Sequence, residues 1–185
     1  MQLYRVFYWD GHSTGASEGG PLFVPQELQG AGRHDIPELD GVIYTSVAPV
    51  SCVAEAIKDF RSQEVRSAIF LRPDGHRRSL AAFDLADTVR LLDLDDPKEL
   101  VKRGINPSQV SSPTRSVTQG LTRQLFEEGL AGFYWWSALN ASWKNVTLFK
   151  SRVIKSLSLK EKPVELKLDL PVVREAGDFL KVNFR

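Results

Sequence analysis

Val42-Ile43-Tyr44-Thr45-Ser46-Val47-Ala48-Pro49-Val50-Ser51-Cys52-Val53-Ala54-Glu55-Ala56-Ile57-Lys58-Asp59-Phe60 changes its hydrophobic period part-way. The first five residues are apolar, aromatic or β-branched, which predicts a short strand over 42–46. Pro49 has its φ pre-set for a first helical turn, and Val50, Val53, Ala54, Ile57 and Phe60 then recur at helical spacing. A helix over 49–60 is therefore expected. Upstream, Leu3 to Tyr8 reads as a buried strand. Between the two strands the chain is crowded with Gly and Pro, from Gly11 to Gly41, and predicts a long irregular loop. Loops of that length in a compact domain are uncommon and often functional.

Downstream, Val65–Leu71, Ser79–Leu85 and Thr88–Leu94 read as strands, with Pro73-Asp74-Gly75 as a turn between the first two. Asp96-Pro97 opens a short helix that ends near Gly104. Ser112-Pro113 opens a second long helix, with Val117, Leu121, Leu125 and Phe126 facing inward and Gly129 closing it. Phe133–Trp136 and Val146–Phe149 read as buried strands, and Val164–Leu170 alternates like a half-exposed one. Strands mixed with two long helices in irregular order give the α+β class. No repeat, low-complexity tract or linker divides the chain, so 1–185 is expected to be one domain.

The 185 residues are enough for a proper core, and 42% hydrophobic with 25% charged residues is ordinary for a globular protein. Lys and Arg number 24 against 23 Asp and Glu, which argues against nucleic acid as a direct partner. Apolar runs fall well short of the roughly 20 residues of a membrane span, and Met1-Gln2-Leu3-Tyr4-Arg5 lacks the build of a secretory signal. Cys52 is the single cysteine, which excludes an internal disulfide and a Cys-rich zinc site. A cytoplasmic protein is expected, and the glycosylation-like triplets at Asn140 and Asn145 are read as chance.

Gly11-His12-Ser13-Thr14-Gly15 matches the serine-hydrolase pattern, but the residues after it cannot start the helix that the motif requires, so it reads as a polar loop. His12, His34 and His76 have no metal-ligand spacing and read as surface or capping residues. No phosphate-binding glycine motif follows a strand.

Three other positions carry two readings each. Arg5 interrupts an apolar strand: either it points to solvent from an edge, or it is buried and must be paired or hold an anion. Arg33 follows Gly32 in the long loop, as a solvated charge or a phosphate ligand. Glu55 lies about 140° from Val50 on the helical wheel, beside Ser51 and Lys58. It is either an exposed carboxylate paired with Lys58 or a catalytic one.

Taken together, Tyr4-Arg5-Val6, Gly32-Arg33-His34, the strand bearing Tyr44, Ala54-Glu55 and Gly129–Ser137 resemble the RES domain, the toxin type of RES–Xre toxin–antitoxin pairs. The resemblance is strongest over 5–149. The sequence departs from it at His34, where Trp or Phe is usual, and at Ala131 and Trp136, where Asp and Pro are usual. The resemblance implies an ADP-ribosyltransferase-like fold and NAD+ as substrate, degraded by hydrolysis or phosphorolysis without a metal. It implies an Xre-type helix-turn-helix antitoxin as protein partner, no membrane partner, and leaves room for a homodimer. Glu55, Tyr44 and Arg33 are then the catalytic set, and Arg5, Arg33, Tyr44 and Ser137 the NAD+-binding set. Transfer of ADP-ribose to a protein, and an inactive interaction module of the same fold, are the alternatives. The chemistry suits these residue types. Two arginine forks match a diphosphate, an aromatic face attracts the pyridinium cation, and a carboxylate stabilises charge building on the ribose.

Overall fold

A computed structural model describes residues 1–185. Along the chain run β1 (Gln2–Trp9), β2 (Val42–Ser46), α1 (Pro49–Ile57), β3 (Glu64–Val65), β4 (Arg77–Leu85) and β5 (Leu92–Asp93). Then follow α2 (Pro97–Arg103), α3 (Pro107–Val110), α4 (Arg115–Glu127), β6 (Gly132–Trp136), β7 (Lys144–Phe149) and α5 (Lys150–Val153). The chain ends with β8 (Leu157–Leu159), β9 (Val164–Glu165), α6 (Pro171–Leu180) and β10 (Asn183–Phe184). No helix is long and apolar enough to cross a membrane. The chain forms two compact units. The first is Met1 with Val24–Thr45 and Leu85–Leu157, and the second is Gln2–Phe23, Ser46–Asp84 and Ser158–Arg185.

In the first unit the strand order is β5-β6-β7-β2. Leu92 of β5 runs parallel to Phe133 of β6, while β6 and β7 are antiparallel with Phe133 opposite Thr147. Gly132 has to be glycine here, because a Cβ would lie 2.4 Å from the Thr147 carbonyl oxygen. Phe133, Leu94 and Leu125 are fully buried in the core below. Helix α4 covers that core with Thr118, Leu121, Thr122 and Leu125, spaced i, i+3, i+4, i+7. The two threonines are admissible because the Thr122 hydroxyl donates to the Thr118 carbonyl at 2.8 Å. Asp96 caps α2 by accepting from Lys98 N at 2.9 Å, and Gly104 ends it at φ +64°.

In the second unit β1 and β4 pair antiparallel over their full length, from Gln2 opposite Asp84 to Trp9 opposite Arg77. β8 lies on the other side of β4, and β9 pairs with β4 at Ser79 and Leu80. α1 packs on β1 and on α6, and β10 runs parallel to β3. α6 buries Val173, Ala176, Gly177 and Leu180, and at Gly177 a Cβ would lie 2.2 Å from the Phe184 ring.

The α+β class stands, with six helices rather than two long ones and a short one. Three expected strands are shorter than their apolar runs. Val65–Leu71 pairs only at Glu64–Val65, after which Ser67–Phe70 forms a 3₁₀ turn that buries Phe70. Thr88–Leu94 pairs only at Leu92–Asp93, and Val164–Leu170 only at Val164–Glu165. Apolar side chains are buried in all three, but a ladder forms only where a neighbouring backbone lies alongside. Helix α6 was hidden by Val172-Val173 and Gly177, residue types that disfavour helix on propensity alone. Its burial period overrides them. Helix α1 ends at Ile57, and 58–60 tightens to a 3₁₀ turn.

Candidate functional site

In the first unit the irregular loop folds around one carboxylate. Asp35, 4% exposed, accepts from Gly30 N at 2.5 Å and Gly32 N at 3.0 Å through Oδ2. Its Oδ1 accepts the Tyr44 hydroxyl at 2.5 Å, and the same phenol oxygen accepts His34 N at 2.7 Å. Gly30 takes a positive φ of +123°, a conformation that a Cβ would disfavour. At Gly32 a Cβ would sit 1.8 Å from Asp35 Oδ1 and 2.8 Å from Tyr44 Oη, so only glycine lets carboxylate and phenol close over the backbone. Burial, then the Asp35 hydrogen bond and charge, hold the Tyr44 phenol far above its ordinary ionisation range.

Arg33 sits inside this loop. Its Nη1 donates to the Ser112 carbonyl at 2.5 Å, its guanidinium lies 5.6 Å from the Trp135 ring centroid, and its own carbonyl accepts Thr118 Oγ1 at 2.5 Å. Helix α4 stitches the loop further: Gln119 Nε2 donates to the carbonyls of Gly30 and Gly32, and Arg115 Nε to that of Ala31. A cleft of about 480 Å³ opens beside it, walled by Gly30, Asp35, Glu38, Ser116, Gln119 and Arg123 among others.

His34 corrects an expectation. It is fully buried, not a surface or capping residue, with its ring set edge-on to Phe133 at 5.0 Å and Trp135 at 4.8 Å. Nδ1 lies 2.8 Å from Thr147 Oγ1, which also accepts the Trp135 indole N–H at 3.0 Å. The threonine hydroxyl can donate to Nδ1 or accept from it, according to the imidazole tautomer. Nε2 has no hydrogen-bond partner. Burial, and then the nearby charges of Arg33 and Arg115, keep the ring neutral well below the usual histidine range.

In the second unit Arg5 is half-buried and turned to the protein rather than to solvent. Its Nη1 donates to the Pro21 carbonyl at 2.7 Å and its Nη2 to the Phe23 carbonyl at 2.9 Å, so it gathers the start of the long loop onto β1. Burial pulls its pKa down to about 10. On α1, Cys52 Sγ accepts from Val6 N at 3.1 Å, and burial pushes the thiol up to about 12. Glu55, one turn on, is half-buried and pairs with Lys58 Nζ at 3.1 Å, as the i, i+3 spacing predicted. Neither compact unit alone carries all five expected residues: Arg33, Tyr44 and Ser137 belong to the first, Arg5 and Glu55 to the second.

A family model, the RES domain, matches residues 2–169. The chain belongs to the RES domain family. Its fold is similar to that of a chain in the crystal structure of the M. tuberculosis MbcT–MbcA toxin–antitoxin complex. The TM-score is 0.63 at 18% identity, covering 97% of this chain and 88% of that one. No curated protein matches it.

Within this RES domain the structure brings Arg33 and Tyr44 together through the backbone of His34 and the carboxylate of Asp35. Ser137 is buried at a turn, its amide bound to the Trp143 carbonyl at 2.9 Å and its hydroxyl accepting from Leu139 N at 3.0 Å. Asp35, Thr147 and Arg115 were not foreseen. The one local sign of Asp35 was its place in a Gly-rich loop, where short carboxylates accept nearby amides.

Buried neutral His34 makes stability pH-dependent. In the unfolded chain the imidazole, at its ordinary 6.5, takes up a proton as pH falls, while the folded ring does not. The unfolded state then binds more protons, so stability drops with falling pH, by about 1.4 kcal/mol per pH unit for one proton. Urea unfolding at pH 7 and 5 should show a shallower pH dependence for His34→Phe than for the parent. Equal dependence would show that His34 does not contribute this way.

Proposed function

We propose that this RES domain breaks the bond between nicotinamide and ribose in NAD+, as the toxin of a pair whose antitoxin is an Xre-type helix-turn-helix protein. The observation that carries the reading is the loop built on Asp35, which holds an arginine and an aromatic ring in fixed positions within a chain of the RES family. Building Gly30, Gly32 and a buried carboxylate into a loop costs backbone freedom, and such over-determined loops are typical of ligand sites.

The C–N bond breaks with its electron pair leaving on the pyridinium nitrogen, which becomes neutral, so no acid is required. Positive charge grows on the ribose carbon, and the proposed role of Glu55 is to stabilise it with a carboxylate. Water or phosphate then supplies the oxygen that bonds to that carbon, giving ADP-ribose or its 1″-phosphate. Arg33 and Arg5 are assigned to the diphosphate. Each Nη that Arg5 spends on a loop carbonyl carries a second N–H. Tyr44 contributes its ring face, since its hydroxyl is committed to Asp35 and stays protonated. Ser137 is assigned a hydrogen bond to the substrate rather than nucleophilic attack.

Purified protein incubated with NAD+, with and without inorganic phosphate, is expected to release nicotinamide. The product would be ADP-ribose in one case and ADP-ribose 1″-phosphate in the other if phosphate competes. NAD+ left intact under both conditions overturns the proposal. Label from NAD+ appearing on a macromolecule would instead indicate transfer to a protein.

A further inference from the structure

We infer that Asp35 is a positioning residue of this site, setting the Tyr44 ring and the backbone that bears Arg33 by taking the Tyr44 hydroxyl and the amides of Gly30 and Gly32 on one buried carboxylate. The inference rests on the proposed NAD+ reaction, to which it adds a residue that touches the substrate only through others.

Three features converge on it. All three donors to Asp35 come from the segment that carries Arg33 or from Tyr44, so the carboxylate ties β2 to the loop at one point. The return contact, His34 N on the same phenol oxygen, closes a ring of hydrogen bonds that leaves the Arg33 backbone little freedom between Gly32 and His34. Gly32 is shaped to it, since any Cβ there would collide with both the carboxylate and the phenol. A carboxylate is the group this geometry demands, because three donors and no acceptor face it. The raised ionisation of Tyr44 agrees with a phenol that donates into an anion.

Asp35→Asn tests the assignment. The amide oxygen can keep the two glycine amides, but its NH2 then faces Tyr44 Oη, which already accepts from His34 N. The phenol is left as a double acceptor with its hydrogen displaced. The kcat/KM for NAD+ is expected to fall about 10- to 100-fold, mainly as a rise in KM, with kcat within about threefold. Tyr44→Phe keeps the ring face but loses the tether, and should raise KM in the same way. On the Tyr44→Phe background Asp35→Asn should cost much less than on the parent, because both remove one interaction. A purely structural role would lower thermal stability without this coupling. A ¹³C-labelled tyrosine spectrum gives a readout independent of turnover. The Tyr44 ring, silent to pH in the parent while it stays folded, should begin to titrate in Asp35→Asn.

Unchanged KM in both variants, or additive effects in the double variant, overturns the inference while leaving NAD+ cleavage standing. Absence of NAD+ cleavage by the parent overturns the function, and the Tyr44 titration then still decides whether Asp35 holds the phenol. If Asp35→Asn does not fold, Tyr44→Phe alone carries the test, and a parent-like KM sinks the idea.

Discussion

Glu55→Ala is expected to lower NAD+ consumption by about 10² to 10³-fold, the usual loss when a charge-stabilising group is removed from a transition state. The fold should survive. The side chains of Glu55 and Lys58 are 25% and 47% exposed, and ion pairs in such positions contribute about 1 kcal/mol or less. Alanine also suits the interior of α1 better than most residues. A melting temperature within a few degrees of the parent, together with lost turnover, would separate chemistry from stability. Glu55→Gln refines the test, since it keeps size and one acceptor oxygen but removes the charge that opposes the growing positive charge on the ribose. A variant that consumes NAD+ at the parental rate would take the carboxylate out of the reaction.

Phe133→Ala should bring the largest loss of stability, about 3–5 kcal/mol. Phe133 is fully buried on β6, between Leu92 of β5 and Thr147 of β7. Its ring meets the edge of His34 at 5.0 Å and Phe149 at 6.1 Å. Truncation opens a cavity whose walls are a β ladder and aromatic rings, none of which can collapse far. Set against a typical stability of about 5–15 kcal/mol, the variant would be marginal at best. Urea unfolding followed by circular dichroism should show a much lower midpoint at an unchanged slope. Phe133→Leu, which keeps most of the volume, should cost about 1–2 kcal/mol. A midpoint for Phe133→Ala close to that of the parent would mean that this part of the core repacks freely.

Several elements were legible without coordinates because their signals are local. β2 runs over the five residues that its composition marked, and α2 opens on a capping Asp96 and closes on a left-handed Gly104. The Glu55–Lys58 pair followed from one turn of helix. Where local preference and tertiary burial disagree, the sequence misled. Val172 and Val173 favour strand, yet the chain coils them into α6 because Val173, Ala176, Gly177 and Leu180 bury a single stripe against α1. Thr118 and Thr122 did not register as inward-facing, though each is buried on α4 beneath a satisfied hydroxyl.

The α+β class was readable from residue types and spacings, and membership of the RES family from the resemblance of its short motifs to that family. Such patterns depend on neighbours within a few turns of backbone. The state of each polar group was not readable, because the price of burying it is set by whatever covers it, and those atoms come from far along the chain. His34 is an ordinary loop histidine until Thr147, 113 residues away, meets its Nδ1 and aromatic rings exclude water from Nε2. Asp35 is an ordinary loop aspartate until the hydroxyl of Tyr44 arrives from β2. Only folding turned these two side chains into the supports of the arginine and the tyrosine beside them.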